Sequence, residues 1–234
     1  MIDQFGQYYL IQILKRLINM LAFQTMIASD GYEVALFPLE YLYMSQDEGG
    51  DFSHAGTYNL DFLGWGANGR VLDCPIYAPC TLRCVDIFDS TSNTRVWESV
   101  NPVHLADGSL DYLTIYFSHD DNPLYSVGDI CHQGNIIAHT GQTGYVTGDH
   151  THTGCGKGHY QGFTQRQPNN LYDLTNRVHY WNAVYVNNTN IVEGYSHNWI
   201  DYTGPIRPFV MNKSKFNFIL FGNYAKKEKR KGMV

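Results

Sequence analysis

From Gly31 onward the chain alternates short apolar runs with clusters of Gly, Asn, Asp and Pro, the texture of an antiparallel sheet joined by tight turns. Runs at 58–63, 75–79, 81–88, 112–119, 135–139 and 150–155 are predicted strands. Leu113, Ile115, Phe117 and His119 share one face of theirs, so period-two parity predicts His119 in line with an inward-facing row, at the strand's end. Residues 156–204 are aromatic, Asn-rich and polar by turns, which predicts an extension wrapped on the core with little regular structure. A last apolar run at 216–221 is a candidate terminal strand. At the other end, Leu10, Leu14, Leu17, Ile18 and Leu21 fall on one helical face and Gln12, Lys15, Arg16 and Asn19 on the other. This predicts an amphipathic helix that packs on the body or on a partner subunit. Lys15 and Arg16 interrupt its apolar stretch and no small-residue cleavage site follows, so it reads neither as a signal peptide nor as a transmembrane segment.

The expected protein is therefore mainly β: an N-terminal amphipathic helix over 1–30, an antiparallel β-sheet core over 31–156, a loop-rich extension over 157–222 and a basic flexible tail over 223–234. At 234 residues, 44% hydrophobic and 16% charged, the chain can bury one sizeable core. Aromatic residues make up 15% of it, with 18 Tyr, alongside 22 Gly, which suits a β-rich fold with an aromatic-lined groove. The net charge is -6, yet Lys226, Lys227, Lys229, Arg230 and Lys231 against Glu228 make the tail locally +4, leaving -10 on the remainder. Such a body lacks the basic footprint of a nucleic-acid binder. The five cysteines form an odd set without paired spacing, which argues against a disulfide framework and for synthesis in a reducing compartment.

Chemistry concentrates around Gly148-Asp149-His150-Thr151-His152-Thr153-Gly154. Two histidines two residues apart project from one face of a strand, and neutral imidazole is a common ligand for transition metals. Upstream, His54 on a turn and Asp61 on the following strand could add a nitrogen and an oxygen ligand. Two His and one Asp carry a net charge of about -1, which leaves a dication Lewis-acidic enough to activate water. Of the ten histidines, His54, His119, His150 and His152 stand out because they flank the glycine punctuation of predicted strands. There is no His-Glu-x-x-His helix and no Gly-x-Ser-x-Gly elbow.

Read in order, His54 and Asp61, Cys74-Pro75-Ile76-Tyr77-Ala78, Tyr116-Phe117-Ser118-His119, Gly128-Asp129 with Gly134, Gly141-Gln142-Thr143-Gly144 and His150-Thr151-His152 resemble the M23 family of zinc metallopeptidases, the LytM and lysostaphin-like peptidoglycan endopeptidases. The resemblance covers about residues 50 to 155. It implies an M23-like core with one Zn2+ held by His54, Asp61 and His152, with His119 and His150 as catalytic histidines that orient or deprotonate the attacking water and stabilise the oxyanion. Which of the two is the main base stays open. Tyr145 and Trp65 are candidates for a substrate-binding groove. The His54 to Asp61 spacing is longer than the family's usual one and resembles some phage-encoded members, with Asp51 as the other carboxylate to consider. After His152, the glycine-rich Thr153-Gly154-Cys155-Gly156-Lys157-Gly158 replaces the usual apolar strand, which could loosen it.

The resemblance implies a phage cell-wall lysin cutting peptidoglycan, an endolysin or a tail-associated lysin. It would reside in the virion tail, or in the host cytoplasm before release to the wall, with tail proteins as partners through the N-terminal helix. The rival expectation is a non-catalytic phage tail or wall-binding protein with an M23-like shell.

Overall fold

The structure is a computed structural model and describes residues 25–187, 189–192 and 207–210. The expected N-terminal helix, apart from its last residues, the strand at 216–221 and the basic tail lie outside the described residues. The main sheet has eight strands, all pairing antiparallel: β1 (Met44–Gln46), β2 (Leu60–Phe62), β3 (Leu82–Asp89), β4 (Thr94–Ser99), β5 (Leu113–Ser118), β6 (Ile130–Cys131), β7 (Thr151–Lys157) and β10 (Arg177–Val178). Between β7 and β10 a hairpin forms from β8 (Phe163–Arg166) and β9 (Leu171–Leu174), and a single helical turn, α1 (Tyr180–Ala183), follows β10. Across the sheet the order is β6-β3-β4-β5-β7-β2-β1, with β10 adding to β7 beyond the end of β2.

β5 and β7 form the spine. Every residue of β5 is buried, because both faces of the sheet are covered. Leu113, Ile115 and Phe117 face the main core with Cys155, Leu60, Phe62, Trp97 and Trp181, whereas Tyr116 faces the other way, into a smaller cluster with Val96 and Leu174. The short apolar strands expected at 58–63, 75–79, 81–88, 112–119, 135–139 and 150–155 are all present at similar bounds.

The extension packs on the core as expected and carries some regular structure: residues 157–187 include the β8–β9 hairpin, β10 and α1, and Tyr180, Trp181, Ala183, Val184 and Val186 belong to the main core. Aromatic side chains in this segment find their partners across the sheet, as where Phe163 stacks on Phe88 with centroids 3.9 Å apart. The glycines after His152 do not loosen the strand. β7 runs unbroken to Lys157, and a Cβ at Gly154 would lie 2.9 Å from Tyr116 Cε1, so the missing side chain there makes room for the neighbouring ring.

Candidate metal centre and cleft

Alternation along β7 sends Thr151, Thr153 and Cys155 to one face and His152 and Gly154 to the other. In register, His152 stands opposite Asp61 on β2 and Ser118 on β5, and Gln46 on β1 stands beside Asp61. One row across the sheet thus carries Gln46, Asp61, His152 and Ser118, and Ser118 Oγ continues it to Thr94 Oγ1 on β4 at 2.7 Å. His54 is delivered to this row by the loop between β1 and β2. Thr57 closes that loop, its N–H and its hydroxyl both donating to the His54 carbonyl at 2.9 Å.

The three side chains converge. His54 Nε2 is 3.2 Å from His152 Nδ1 and 3.3 Å from Asp61 Oδ1, and His152 Nδ1 is 2.9 Å from Asp61 Oδ1. His54 Nδ1 lies 3.1 Å from the Asp47 carbonyl, which can only accept, so Nδ1 carries the proton and Nε2 turns a lone pair toward the carboxylate. Lone pairs facing one another at this range repel unless a cation lies among them. A tetrahedral zinc with bonds of about 2.0–2.1 Å places its donors roughly 3.3 Å apart, close to the edges of this triangle, and two imidazoles with one carboxylate are a suitable donor set. The residues present therefore fit the metal.

Electrostatics agree with that fit. Burial pushes the Asp61 carboxyl up, but the adjacent His152 and His54 outweigh it and hold the group well below the usual carboxylate range. Burial lowers His152 against the pull of Asp61, keeping the imidazole neutral and able to ligate. The second oxygen of Asp61 accepts from Gln46 Nε2 at 2.9 Å. That amide is fixed in turn by Ser53, through Nε2 to the hydroxyl at 2.8 Å and from the backbone N–H to Oε1 at 2.9 Å.

A second pair of histidines flanks this triangle. Parity predicted His119 in the inward row of Phe117, and the structure corrects this. β5 ends at Ser118, and His119 takes a left-handed backbone with φ 76°, which carries its side chain out of the core row and into the cleft. Such a conformation is costly for a non-glycine residue and is held here from several sides. His119 N–H donates to the Ser92 carbonyl at 2.7 Å, its carbonyl accepts from Thr143 N at 3.2 Å, and its Nδ1 donates to the Thr143 carbonyl at 2.8 Å. The turn Gly141-Gln142-Thr143-Gly144 supplies that carbonyl, and Gly141 has to be glycine, since a Cβ would lie 2.1 Å from the His119 oxygen.

His150 mirrors the arrangement. Its Nδ1 donates to the Gly148 carbonyl at 2.8 Å, its ring centroid is 4.7 Å from that of His119, and its Nε2 is 3.7 Å from Asp61 Oδ1. Asp149, buried beside it, accepts from Thr140 Oγ1 at 2.7 Å and from Asp73 N at 3.0 Å and so anchors the turn that presents His150. Burial and the adjacent His150 push His119 down to about 4, leaving it neutral with a free Nε2 lone pair at neutral pH.

All five side chains singled out from the sequence thus meet at one place, apart from His54 at the wall of a cleft of about 660 Å³, His54 being buried behind it. Phe88, Phe163, Leu171 and Tyr172 form an apolar side of the cleft, and Phe52, Tyr145, Val146 and Thr147 lie around its remaining rim. Tyr145 lies on that rim, fully exposed. Trp65 does not line the cleft: it sits in a small hairpin, Trp65–Gly66 against Gly69–Arg70, stacked on Tyr43 with centroids 4.3 Å apart. Asp51 is exposed in the loop before His54 and is not part of the triangle. Gln46, Phe88, Phe163 and Tyr172 carry no signal of their own in the sequence and reach the site only through strand pairing. Tyr116 lies in a motif, and the parity that places His152 also places it on the same face.

No family model matches the chain. In sequence it is 35% identical over 172 residues, 73% of its length, to morphogenesis protein 1 of Bacillus phage B103, and it spans 45% of that protein. Among solved structures it is similar to the catalytic domain of the antimicrobial peptidase lysostaphin from Staphylococcus simulans (19% identity, 61% of this chain, 86% of that one, TM-score 0.34). A zinc-containing peptidase from Vibrio cholerae (15%, 64% and 44%, TM-score 0.36) and the catalytic domain of the prophage-encoded M23 protein EnpA from Enterococcus faecalis (19%, 59% and 89%, TM-score 0.36) are further neighbours. The chain is thus similar in sequence to a phage morphogenesis protein, of which it spans less than half.

Proposed function

We propose that this chain is a zinc-dependent endopeptidase that hydrolyses peptide bonds of bacterial peptidoglycan, in stem peptide or cross-bridge, as a phage cell-wall lysin. The observation that carries this reading is the convergence of His54 Nε2, Asp61 Oδ1 and His152 Nδ1 within 3.3 Å of one another, with two further imidazoles beside them at the wall of an open cleft. The ordered motifs from His54 to His152 supply the substrate class by resemblance, and similarity to a phage morphogenesis protein supports a role in the virion or at the host wall.

His54, Asp61 and His152 would hold the zinc. When bound, it supplies Lewis acidity, polarising a carbonyl and making a water more acidic. The chain's own groups do the rest. His119 and His150 each have Nδ1 committed to a backbone carbonyl, so each presents Nε2 to the cleft, one fixed tautomer per ring. Facing the cleft together, the two rings are placed to orient or deprotonate the attacking water and to stabilise the developing oxyanion. The aromatic side of the cleft excludes water from the reacting bond and seats the peptide.

The test is to measure zinc content and peptidoglycan cleavage together. Purified protein should hold one zinc per chain and release muropeptides, and His150→Ala should abolish cleavage while retaining the metal. Folded protein that neither binds zinc nor cuts peptidoglycan would sink the reading and favour the wall-binding alternative.

A further inference from the structure

The outer nitrogens of the four clustered histidines are not satisfied in the same way. His54, His119 and His150 each donate Nδ1–H to a backbone carbonyl, of Asp47, Thr143 and Gly148 respectively. His152 differs: its outward nitrogen is Nε2, and its partner is the Tyr116 hydroxyl at 3.3 Å. It is therefore the one member of the cluster whose orientation depends on a side chain.

We propose that Tyr116 is a positioning residue for the metal centre: its hydroxyl accepts the His152 Nε2–H, so that Nδ1 is the nitrogen turned to the metal. The inference rests on the zinc reading of the triangle. Which nitrogen of an imidazole can ligate is decided by where the other nitrogen's proton goes, and partners of this kind raise the basicity of the ligand and fix its ring. Nothing else reaches Nε2 by a hydrogen bond among the described residues.

Two further features of the fold serve the same contact. Gly154, the residue facing Tyr116 across the β5–β7 pair, leaves the space that the ring occupies; a Cβ there would come 2.9 Å from Cε1 and 3.2 Å from the hydroxyl oxygen. On its outer side the ring is held edge-on by Phe163 of the β8–β9 hairpin, with centroids 5.3 Å apart. The hairpin beyond the motif region is thereby linked to the metal ligand through one ring, and the glycine-rich departure in β7 has a physical purpose.

The experiment compares wild type, Tyr116→Phe and Gly154→Ala as metal-free proteins titrated with Zn2+ in competition with a chromophoric chelator, with melting of the metal-free forms recorded beside them. Removing only the hydroxyl should weaken zinc binding about 10–100-fold, with the metal-free fold retained. Gly154→Ala should weaken zinc in the same direction by displacing the ring. A folded Tyr116→Phe protein that binds zinc within about twofold of wild type overturns the inference and leaves the zinc reading intact. If Tyr116→Phe does not fold, Gly154→Ala decides: undiminished zinc affinity in that variant overturns the inference. Wild type that takes up no zinc removes both.

Discussion

Asp61 Oδ1 and His152 Nδ1 lie 2.9 Å apart because their residues are direct cross-strand partners in the β2–β7 ladder. Side chains on opposed residues of an antiparallel pair are close by construction, so two of the three candidate metal ligands are set by strand register alone. A register slip of one residue would send one of them to the core face. Only His54 depends on a loop. Asp61→Asn keeps shape and hydrogen bonding but removes the negative charge from the donor set. The expected outcome is a folded protein that no longer holds zinc stoichiometrically, checked by metal analysis after gel filtration.

Gln46 should matter nearly as much as a ligand. Its amide donates to Asp61 Oδ2 and bridges to Ser53, which leaves Oδ1 as the oxygen turned to the two imidazoles. Gln46→Leu strands the Asp61 oxygen and the Ser53 N–H without their partner. A loss of about 1–3 kcal/mol in stability follows, together with weaker zinc binding, measured by denaturant titration and chelator competition.

The two remaining histidines are expected to separate cleanly from the ligands. His119→Ala and His150→Ala remove groups that face the cleft and that the proposed function casts in proton transfer, and each should lower cleavage by about 10²–10⁴-fold with zinc retained. Loss of zinc in either variant would show that its imidazole ligates, and the division of roles would have to be redrawn.

Much of this candidate site was legible because its residues fall on simple periodicities. His150 and His152 are two apart on a strand, and Asp61 lies on a short apolar run that had to be a strand as well. His119 was placed in the right cluster by motif order but on the wrong face by parity, since a left-handed residue at a strand's end breaks the alternation and nothing local in Tyr116-Phe117-Ser118-His119 announces it. β4 was missed because its polar residues take partners far along the chain: Arg95 donates to the Tyr125 carbonyl, and Glu98 receives His159 and the Tyr160 N–H. The β8–β9 hairpin was missed for the same reason, its aromatics packing on Phe88 and Tyr116 rather than on one another.

The aromatic side of the cleft should act on substrate affinity more than on turnover. Tyr172 is half exposed, packs edge-on against Phe88 at 5.2 Å and lines the cleft away from the imidazoles. Tyr172→Ala should raise KM roughly 2–10-fold with kcat little changed, the size expected for one aromatic contact. Steady-state kinetics on a soluble muropeptide would check it. A fall in kcat with unchanged KM would place the ring in the chemistry instead.

Acid stability of the metal-free protein should carry the signature of His119. Its imidazole is pushed from an ordinary 6.5 down to about 4 by burial and by His150. Between those values the unfolded chain binds more protons than the folded one, so stability is highest above 6.5 and is lost as the pH falls toward 4. Asp61 acts lower: its depressed carboxyl contributes stability above the ordinary 3.8 that disappears only on further acidification. His119→Gln removes the titration while keeping a polar side chain. Its melting temperature should therefore fall less than that of wild type between pH 6.5 and 4, and the two profiles should run parallel below that. Melting curves at closely spaced pH on chelator-treated protein measure this, and identical slopes through the upper window would show that His119 titrates alike in the folded and unfolded chain.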